Sequence, residues 1–269
     1  MTTNPCLGVI DWGIGGLGLV QALDHAAPGL PVRYWSDAGA TPYGRMRSDE
    51  LAARLTAVVD ALAERGATEV VLACNAASTV VGRLGAAAIP VEGIIEHGLA
   101  SVPSDLTGQV GVVAGRRTIA AGHYRRGLAR RGRVVLSRVA QPLSAHIEAG
   151  RTGSPEFRSD LAQILAPLRH VDALVLACTH YPAARRWFAT ALPHAQLIDP
   201  AERLAAAIAD RHSHSRSAEK LGSRVFFTTG DPKAMRWCAA RAWGTTLTAM
   251  GVCAAIEEDP ARASRAPTE

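Results

Sequence analysis

Two short stretches decide the fold of this chain: VVLACNAAS, from Val70 to Ser78, and LVLACTHYP, from Leu174 to Pro182. Each begins as an apolar run, continues with Ala-Cys, and then reaches a small polar residue where the chain is expected to turn. A run that is apolar at every position is typical of a strand buried on both faces of a parallel sheet. The repetition of this arrangement predicts two related α/β units.

Strand and helix patterns alternate through the rest of the chain, which favours right-handed crossovers and largely parallel sheets. The segment IPVEGII is predicted to be a strand, and Ser48 is expected to cap a long helix that ends at Arg65. Ligands in such folds bind beyond the carboxyl ends of the strands. The chemically capable residues predicted at these ends are Asp11, Asp37, Cys74, Thr118 and Cys178.

The predicted architecture is two similar α/β domains whose mainly parallel sheets face each other across an active-site cleft. We expect residues 1–97 and 211–255 to form the N-terminal domain and residues 98–210 to form the second. Residues 256–269 are expected to be a disordered tail, and the polar stretch at 211–223 a surface loop.

Composition excludes several classes of function. The chain has 269 residues, of which 48% are hydrophobic, so it is long enough to bury a large core. The net charge of +5 is spread along the sequence, and its densest group, His123 to Arg133, reads as a solvated helix face, so no nucleic-acid partner is expected. The N-terminus lacks a signal-like segment and no run of 18 apolar residues occurs, which predicts a soluble cytoplasmic protein without a membrane partner.

The cysteine pattern argues against disulfides and metal. Five cysteines occur, an odd number, and none forms a CxxC or CxxH spacing, so neither a disulfide framework nor a metal site is expected. The GIGG stretch after the first strand lacks the GxGxxG spacing of a dinucleotide-binding loop, and no cofactor is expected. Cys6, Cys238 and Cys253 read as packing residues.

Cys74 and Cys178 point to proton transfer. A single cysteine at the end of a strand is usually a small packing residue, but two such cysteines, each at a strand-to-helix turn, favour chemistry. Inverting a carbon that carries a removable proton needs a base on one face and an acid on the other. Two matched thiols on opposite walls of a cleft meet this requirement without metal or cofactor.

At this point the chain resembles the glutamate racemases of the cofactor-independent aspartate/glutamate racemase superfamily, over nearly its whole length to about residue 255. The matching stretches, in the family's order, are GVIDWGIGGLGLVQAL, YWSDAGATPYG, VLACNAAS, VEGIIEHG, VGVVAGRRTIAAGHY, PLSAHIEAG, LVLACTHYP, LIDPAE and FFTTGDP. The resemblance implies an isomerase that acts on a free amino acid and supplies D-glutamate for peptidoglycan and the cell wall. It also implies a homodimer, because members of the family commonly dimerise.

The resemblance also implies roles for individual residues. Cys74 and Cys178 are the acid/base thiols, Asp11 and His180 assist them, and Glu148 lies near the substrate amino group. The residues implied to contact substrate are Asp11, Trp12, Tyr43, Gly44, Asn75, Ala76, Thr118, Thr179 and His180. Structural alternatives remain open for four of these residues: Asp11 as a helix cap, His180 as a turn residue, Glu148 as a surface carboxylate and Tyr43 as a loop-packing residue.

Three positions depart from the family pattern. Trp12 and Ala76 stand where the family has Ser and Thr, and Gly115 stands where the Gly-Thr-x-x-Thr turn has its first Thr. Each lost hydroxyl bond to a charged group is worth roughly 1.5–3 kcal/mol. Arg116 and Arg117 carry charge beside this turn, although both are expected to be exposed. The departures leave two alternatives to glutamate racemisation: a racemase or isomerase with another substrate, and a non-catalytic binding protein.

Overall fold

A computed structural model of the chain describes residues 4–85, 87–213, 221–248 and 250–252. These residues form two sheets and the helices that cover them. The strands are β1 (Leu7–Asp11), β2 (Val32–Ser36), β3 (Glu69–Leu72), β4 (Val91–Gly93), β5 (Val110–Ala114), β6 (Val135–Val139), β7 (Ala173–Ala177), β8 (Gln196–Ile198), β9 (Arg224–Thr228) and β10 (Met250–Val252). The helices are α1 (Leu17–Ala26), α2 (Ser48–Glu64), α3 (Asn75–Ser78), α4 (Ile94–Ala100), α5 (Arg116–Ala121), α6 (His123–Arg130), α7 (Gln141–Glu148), α8 (Pro155–Leu165), α9 (Arg185–Ala191), α10 (Pro200–Arg211) and α11 (Pro232–Trp243).

The strands pair into one six-stranded sheet, in the order β10-β9-β2-β1-β3-β4, and one four-stranded sheet, in the order β6-β5-β7-β8. Every strand pair in the described residues is parallel. The prediction of an α/β fold with two mainly parallel sheets is therefore confirmed. Parallel strands in one sheet place their carboxyl ends on one edge, where the loops that follow them meet.

The register brings the two cysteine-bearing turns to these edges. Asp11 at the end of β1 pairs with Ser36 on β2, and Ile10 pairs with Leu72 on β3, so the loops after these three strands are neighbours. In the second sheet the ends of β5 and β7 pair through Ala114 and Ala177, immediately before the turns that carry Thr118 and Cys178.

Each sheet is covered on both faces by apolar helices. One core cluster packs α1 against the face of β1 that carries Leu7 and Val9. The same cluster contains Leu204, Ala205 and Ile208 of α10, although this helix was assigned to the second domain. The strands of 1–97 and 211–255 lie in the six-stranded sheet and those of 98–210 in the other. The domain boundaries themselves stay a prediction.

Local differences from the sequence analysis have clear causes. IPVEGII was predicted to be one strand, but β4 ends at Gly93 because the Ile94 N–H donates to the Ser78 hydroxyl and α4 begins there. Ser48 was expected to cap α2, yet Arg47 holds that position and its N–H donates to the Glu50 carboxylate. Helix α2 also ends at Glu64 rather than at Arg65.

Some predictions fall on residues outside the description. Most of the predicted 211–223 loop and the whole predicted tail at 256–269 are among them. Within the described ranges, no helix has the length and hydropathy needed to cross a lipid bilayer.

Candidate active site

The site begins at Asp11, the last residue of β1. Its carboxylate is almost fully buried, and one oxygen accepts the Gly13 N–H at 3.1 Å. The other oxygen has no hydrogen-bond partner among the described residues. Burial raises the pKa of Asp11, and the charge of His180 and the nearby Thr179 hydroxyl oppose that shift. Asp11 therefore presents a buried carboxyl group with unused hydrogen-bonding capacity. It does not cap α1, which begins after Gly16 without a side-chain cap.

Cys74 occupies the cap position of α3, directly after β3. Its carbonyl accepts the Ser78 N–H at 2.9 Å, which fixes the first turn of this short helix. Burial raises the pKa of the Cys74 thiol, and the charges of Asp11 and Cys178 raise it further, while the backbone N–H groups of Ala77 and Ala76 oppose the shift. The two cysteines therefore lie close enough for the charge of one to influence the ionisation of the other.

Cys178 stands at the start of a hydrogen-bonded chain. Its Sγ lies 3.8 Å from Nδ1 of His180, and Nε2 of His180 contacts a carboxylate oxygen of Glu148. Burial disfavours a charged His180, but hydrogen bonds to Cys178 and Glu148 and the charges of both outweigh it, so the pKa of His180 lies well above its ordinary value. This arrangement supports an imidazolium at position 180 next to the Cys178 sulfur.

Glu148 lies at the end of α7 and connects the two sheets' loops. Its carboxylate also accepts the Ile14 N–H, at 3.2 Å, from the turn after β1. The resemblance placed Glu148 near the substrate amino group, and the structure pairs it with His180. The alternative of a plain surface carboxylate is therefore wrong, because a hydrogen-bonded pair with a buried imidazole occupies it.

Two glycines of the GIGG stretch allow the turn after β1 to approach Glu148, Thr179 and His180 closely. A Cβ at Gly13 would lie 2.6 Å from both carboxylate oxygens of Glu148. A Cβ at Gly15 would lie 2.4 Å from Oγ1 of Thr179 and 2.7 Å from Nδ1 of His180. Real Cβ contacts are essentially never this short, so only glycine lets the residues around Cys178 approach the turn after β1 this closely.

Trp12 packs against the loop that follows β2. Its ring is partly buried, packs in one cluster with Tyr43, Cys74 and Ala76, and donates its Nε1–H to the Ala40 carbonyl at 3.1 Å. The sequence left open whether this ring points into the cleft or out to solvent. The structure places it against the loop after β2, on the Cys74 side of the site.

Tyr43 and Gly44 lie in the same loop and have different surroundings. Tyr43 is buried, and its hydroxyl donates to Asp37 at 2.9 Å. Asp37 also forms a buried ion pair with Arg54 at 2.7 Å and accepts the Thr229 hydroxyl at 3.0 Å. Gly44 is exposed, with open space where a Cβ would project. Asp37, expected at a strand end, thus anchors this loop.

The remaining candidate substrate contacts lie after the strand ends and are buried or half-buried. Asn75 is buried, and its side-chain oxygen accepts the Tyr124 hydroxyl at 2.8 Å from α6. Ala76 is half-buried beside Cys74, and Thr118 and Thr179 are buried at the turns after β5 and β7. In the described residues, no group of three His, Cys, Asp or Glu side chains is arranged to hold a metal ion.

The expectation that both arginines beside Thr118 are exposed is wrong for one of them. Arg116 is exposed, but Arg117 is half-buried and donates to Thr79, Met46 and Ser48. Sequence reasoning missed this contact because all three acceptors are distant in the chain. It also missed Tyr34, whose buried hydroxyl donates to the Gly13 carbonyl at 2.7 Å and supports the turn after β1.

Comparison with known proteins finds a racemase family and several glutamate racemases. Residues 7–208 match the model of the Asp/Glu/Hydantoin racemase family. The chain is 32% identical to a glutamate racemase of Desulforudis audaxviator, over 88% of this chain and 93% of the relative. A glutamate racemase isoform of Bacillus anthracis superimposes with a TM-score of 0.85 at 25% identity, covering 94% of this chain and 99% of that one. The glutamate racemase of Thermus thermophilus, solved with β-chloro-D-alanine, superimposes with a TM-score of 0.82 at 25% identity, covering 95% and 99%. This chain belongs to the Asp/Glu/Hydantoin racemase family.

Proposed function

We propose that the chain is a cofactor-independent glutamate racemase, an isomerase that interconverts L- and D-glutamate by moving the α-proton between Cys74 and Cys178. The observation that carries the proposal is the arrangement of the two thiols. They follow equivalent strands of the two sheets, the charge of Cys178 raises the pKa of Cys74, and Cys178 is paired with a His–Glu chain. The relatives named glutamate racemase support glutamate as the substrate.

The reaction starts from a state in which only one thiol is ionised. The pKa of His180 lies well above its ordinary value, so an imidazolium stands next to the Cys178 sulfur, and we assign Cys178 as the base. Burial and the charges of Asp11 and Cys178 raise the pKa of Cys74, which therefore keeps its proton. This asymmetry supplies one base and one acid, as the inversion of a carbon requires.

The proton then moves in two balanced steps. The Cys178 thiolate takes the α-proton, so that the C–H bond breaks, an S–H bond forms and the electron pair is delocalised from the α-carbon into the substrate carboxylate. Cys74 then delivers its own proton to the opposite face of that carbon and becomes the thiolate. In the reverse direction the two cysteines exchange roles, and His180 then faces a neutral thiol.

The proposed substrate contacts are buried polar groups around the thiols. Asn75 and Thr179 directly follow the two cysteines, Thr118 lies after β5, and all three are buried; we propose that they orient the amino acid, with Asp11 serving the amino group through its unpartnered oxygen. A buried carboxylate oxygen without a donor is costly unless a ligand supplies one. Ammonium is the donor that a free amino acid brings.

One observation favours a second candidate function, racemisation of a different amino acid or acid. Trp12 is partly buried and packs against the same hydrophobic cluster as Cys74 and Ala76, so a bulky indole stands on this side of the site where the family has serine. The volume left for a substrate side chain is reduced there. This candidate predicts that a smaller substrate exchanges faster than glutamate, and that Trp12→Ser combined with Ala76→Thr shifts the preference toward glutamate.

The test of both candidates is exchange of the α-proton in D₂O. The purified chain is incubated with glutamate, aspartate and a panel of other amino acids, and deuterium at the α-carbon is followed by NMR or mass spectrometry. Fast exchange of glutamate supports the main proposal, and fast exchange of another member supports the second. Absence of exchange across the panel would refute both and leave the non-catalytic alternative. Cys74→Ser and Cys178→Ser variants should each abolish racemisation.

We also propose that the protein acts in the cytoplasm as a homodimer and supplies D-glutamate for peptidoglycan. Cell fractionation and light scattering test the first two statements. Deleting the gene in its host, with and without added D-glutamate, tests the third.

A further inference from the structure

Arg117 links the two sheets' loops next to Cys74. It follows β5 of the four-stranded sheet, yet its guanidinium donates to three groups on elements of the six-stranded sheet. Nε donates to Oγ1 of Thr79 at 2.9 Å, Nη1 to the Met46 carbonyl at 2.7 Å and Nη2 to Oγ of Ser48 at 3.0 Å. Three of the five guanidinium donors thus fasten this side chain in one place.

One of these contacts reaches the helix that presents Cys74. The Thr79 hydroxyl that accepts from Arg117 donates to the Ala76 carbonyl at 2.7 Å, and Ala76 belongs to α3. Arg117 therefore anchors α3, the short helix that Cys74 caps. Its backbone neighbour is Thr118, a candidate substrate contact, so the same anchor fixes both.

The second observation concerns charge. Cys74 is half-buried, and burial and the charges of Asp11 and Cys178 oppose its ionisation. The charged and titratable groups that interact with it are Asp11 on β1, Tyr34 on β2, Tyr43 in the loop after β2, Cys178 after β7 and Arg117 on α5. Arg117 is the cation in this set. Burial lowers the pKa of the Arg117 guanidinium, and the charge of Cys74 opposes that shift, which places the two groups within electrostatic reach.

We propose that Arg117 is a positioning residue that holds the loops of the two sheets together over the substrate and fixes a positive charge beside the Cys74 sulfur. Arg117 thereby gives Cys74 a cationic neighbour, as His180 gives Cys178 one. The inference rests on the proposed racemase function for its catalytic meaning. The effect of Arg117 on ionisation of the Cys74 thiol does not depend on turnover.

The two parts of the proposal can be separated by the choice of variant. Arg117→Met keeps the length of the side chain and loses both charge and donors. Arg117→Lys keeps the charge but cannot reproduce three simultaneous hydrogen bonds from a planar group. Arg116→Met is the matched control, because Arg116 is the exposed neighbour on the same turn.

The first measurement is the pH dependence of Cys74 alkylation by iodoacetamide, followed on the Cys74 peptide by mass spectrometry. Arg117→Met should raise the midpoint by about one pH unit, which lowers the thiolate fraction roughly tenfold below the midpoint. The midpoint is the diagnostic value, because the intrinsic nucleophilicity of a thiolate also changes with its pKa. Arg117→Lys should restore the midpoint to within a few tenths of a unit of the parent. Arg117→Met matching Arg116→Met would overturn the electrostatic part, and so would Arg117→Lys shifting as far as Arg117→Met.

The second measurement is steady-state kinetics with both enantiomers. Enantiomers have equal free energies, so kcat/KM must fall equally in both directions, and the direction in which Cys74 is the base should show the larger loss of kcat. Arg117→Lys should raise KM in both directions because it loosens the contact between the two sets of loops. If the KM of Arg117→Lys equals that of Arg116→Met, the proposal that Arg117 holds the two sets of loops together is overturned. Alkylation needs no substrate, so a shifted midpoint in a protein without racemase activity would refute the proposed function and leave the role of Arg117 standing.

Discussion

Gly13→Ala tests whether the contact between Glu148 and the turn after β1 matters for activity. The new methyl carbon would lie 2.6 Å from both carboxylate oxygens of Glu148. Ordinary C···O contacts are about 3.3 Å or longer, so the carboxylate must retreat by roughly 0.7 Å. Its 3.2 Å hydrogen bond from the Ile14 N–H then lengthens beyond hydrogen-bonding range. The contact with His180 is disturbed at the same time.

The expected loss follows from the bonds involved. A hydrogen bond to a charged group contributes about 1.5–3 kcal/mol. If this support is felt during proton transfer at Cys178, kcat/KM should fall roughly 10- to 150-fold. The pH profile should move as well. Glu148 helps to raise the pKa of His180, so its displacement lowers that pKa, and the imidazolium is lost at lower pH.

The assay is α-deuterium exchange measured from pH 6 to 9, with Gly82→Ala as the control. This control makes the same chemical change at a glycine where a Cβ would meet open space. Thermal unfolding of both variants separates catalysis from folding. Glu148→Asp introduced into the Gly13→Ala background shortens the carboxylate side chain and should restore part of the activity. Activity of Gly13→Ala within twofold of Gly82→Ala, with an unchanged pH profile, would refute the reasoning.

Two further predictions concern stability. Arg54→Met leaves the buried carboxylate of Asp37 without its ion-pair partner, and urea denaturation should show a loss of about 3–5 kcal/mol; a loss under 1 kcal/mol would contradict the assigned role of this pair. Asp199 caps α10 and has a pKa of about 6, above its ordinary value of 3.8. Because folding favours its protonated form, its stabilising contribution is present below pH 4 and is lost as the pH rises through 6. Relative to the parent, Asp199→Asn should therefore gain about 2 kcal/mol between pH 4 and 7.5 in the free energy of unfolding, and a constant difference across this range would argue against ionisation of Asp199.

The fold was largely accessible from the sequence because its signals are local. The continuous apolar runs before Cys74 and Cys178 predict buried parallel strands, and the small polar residues after them predict turns. The same runs also predict where a ligand binds, because ligands in such folds bind beyond the carboxyl ends of the strands. What failed were boundaries that tertiary contacts decide, such as the end of β4, where the Ser78 hydroxyl captures the Ile94 N–H.

The site divides in the same way. The thiols and their neighbours in the sequence were found from motifs, because each motif carries its own chemistry. The partners that fix them were not found. Arg117 was expected to be exposed because its partners, Met46, Ser48 and Thr79, are distant in the sequence and no local pattern indicates these contacts. The pairing of Glu148 with His180 joins α7 to the turn after β7, and such pairings become visible only in three dimensions.

The order of strands in the six-stranded sheet has a consequence for synthesis. Strand β2 lies between β1 and β9, and β9 is synthesised only after every strand of the four-stranded sheet. Until then the nascent chain carries β2 as an open edge, rich in Tyr and Trp and able to pair with another chain. Truncated or stalled products of this gene should therefore aggregate or recruit chaperones, even though nearly all of the residues near the two thiols have already been translated.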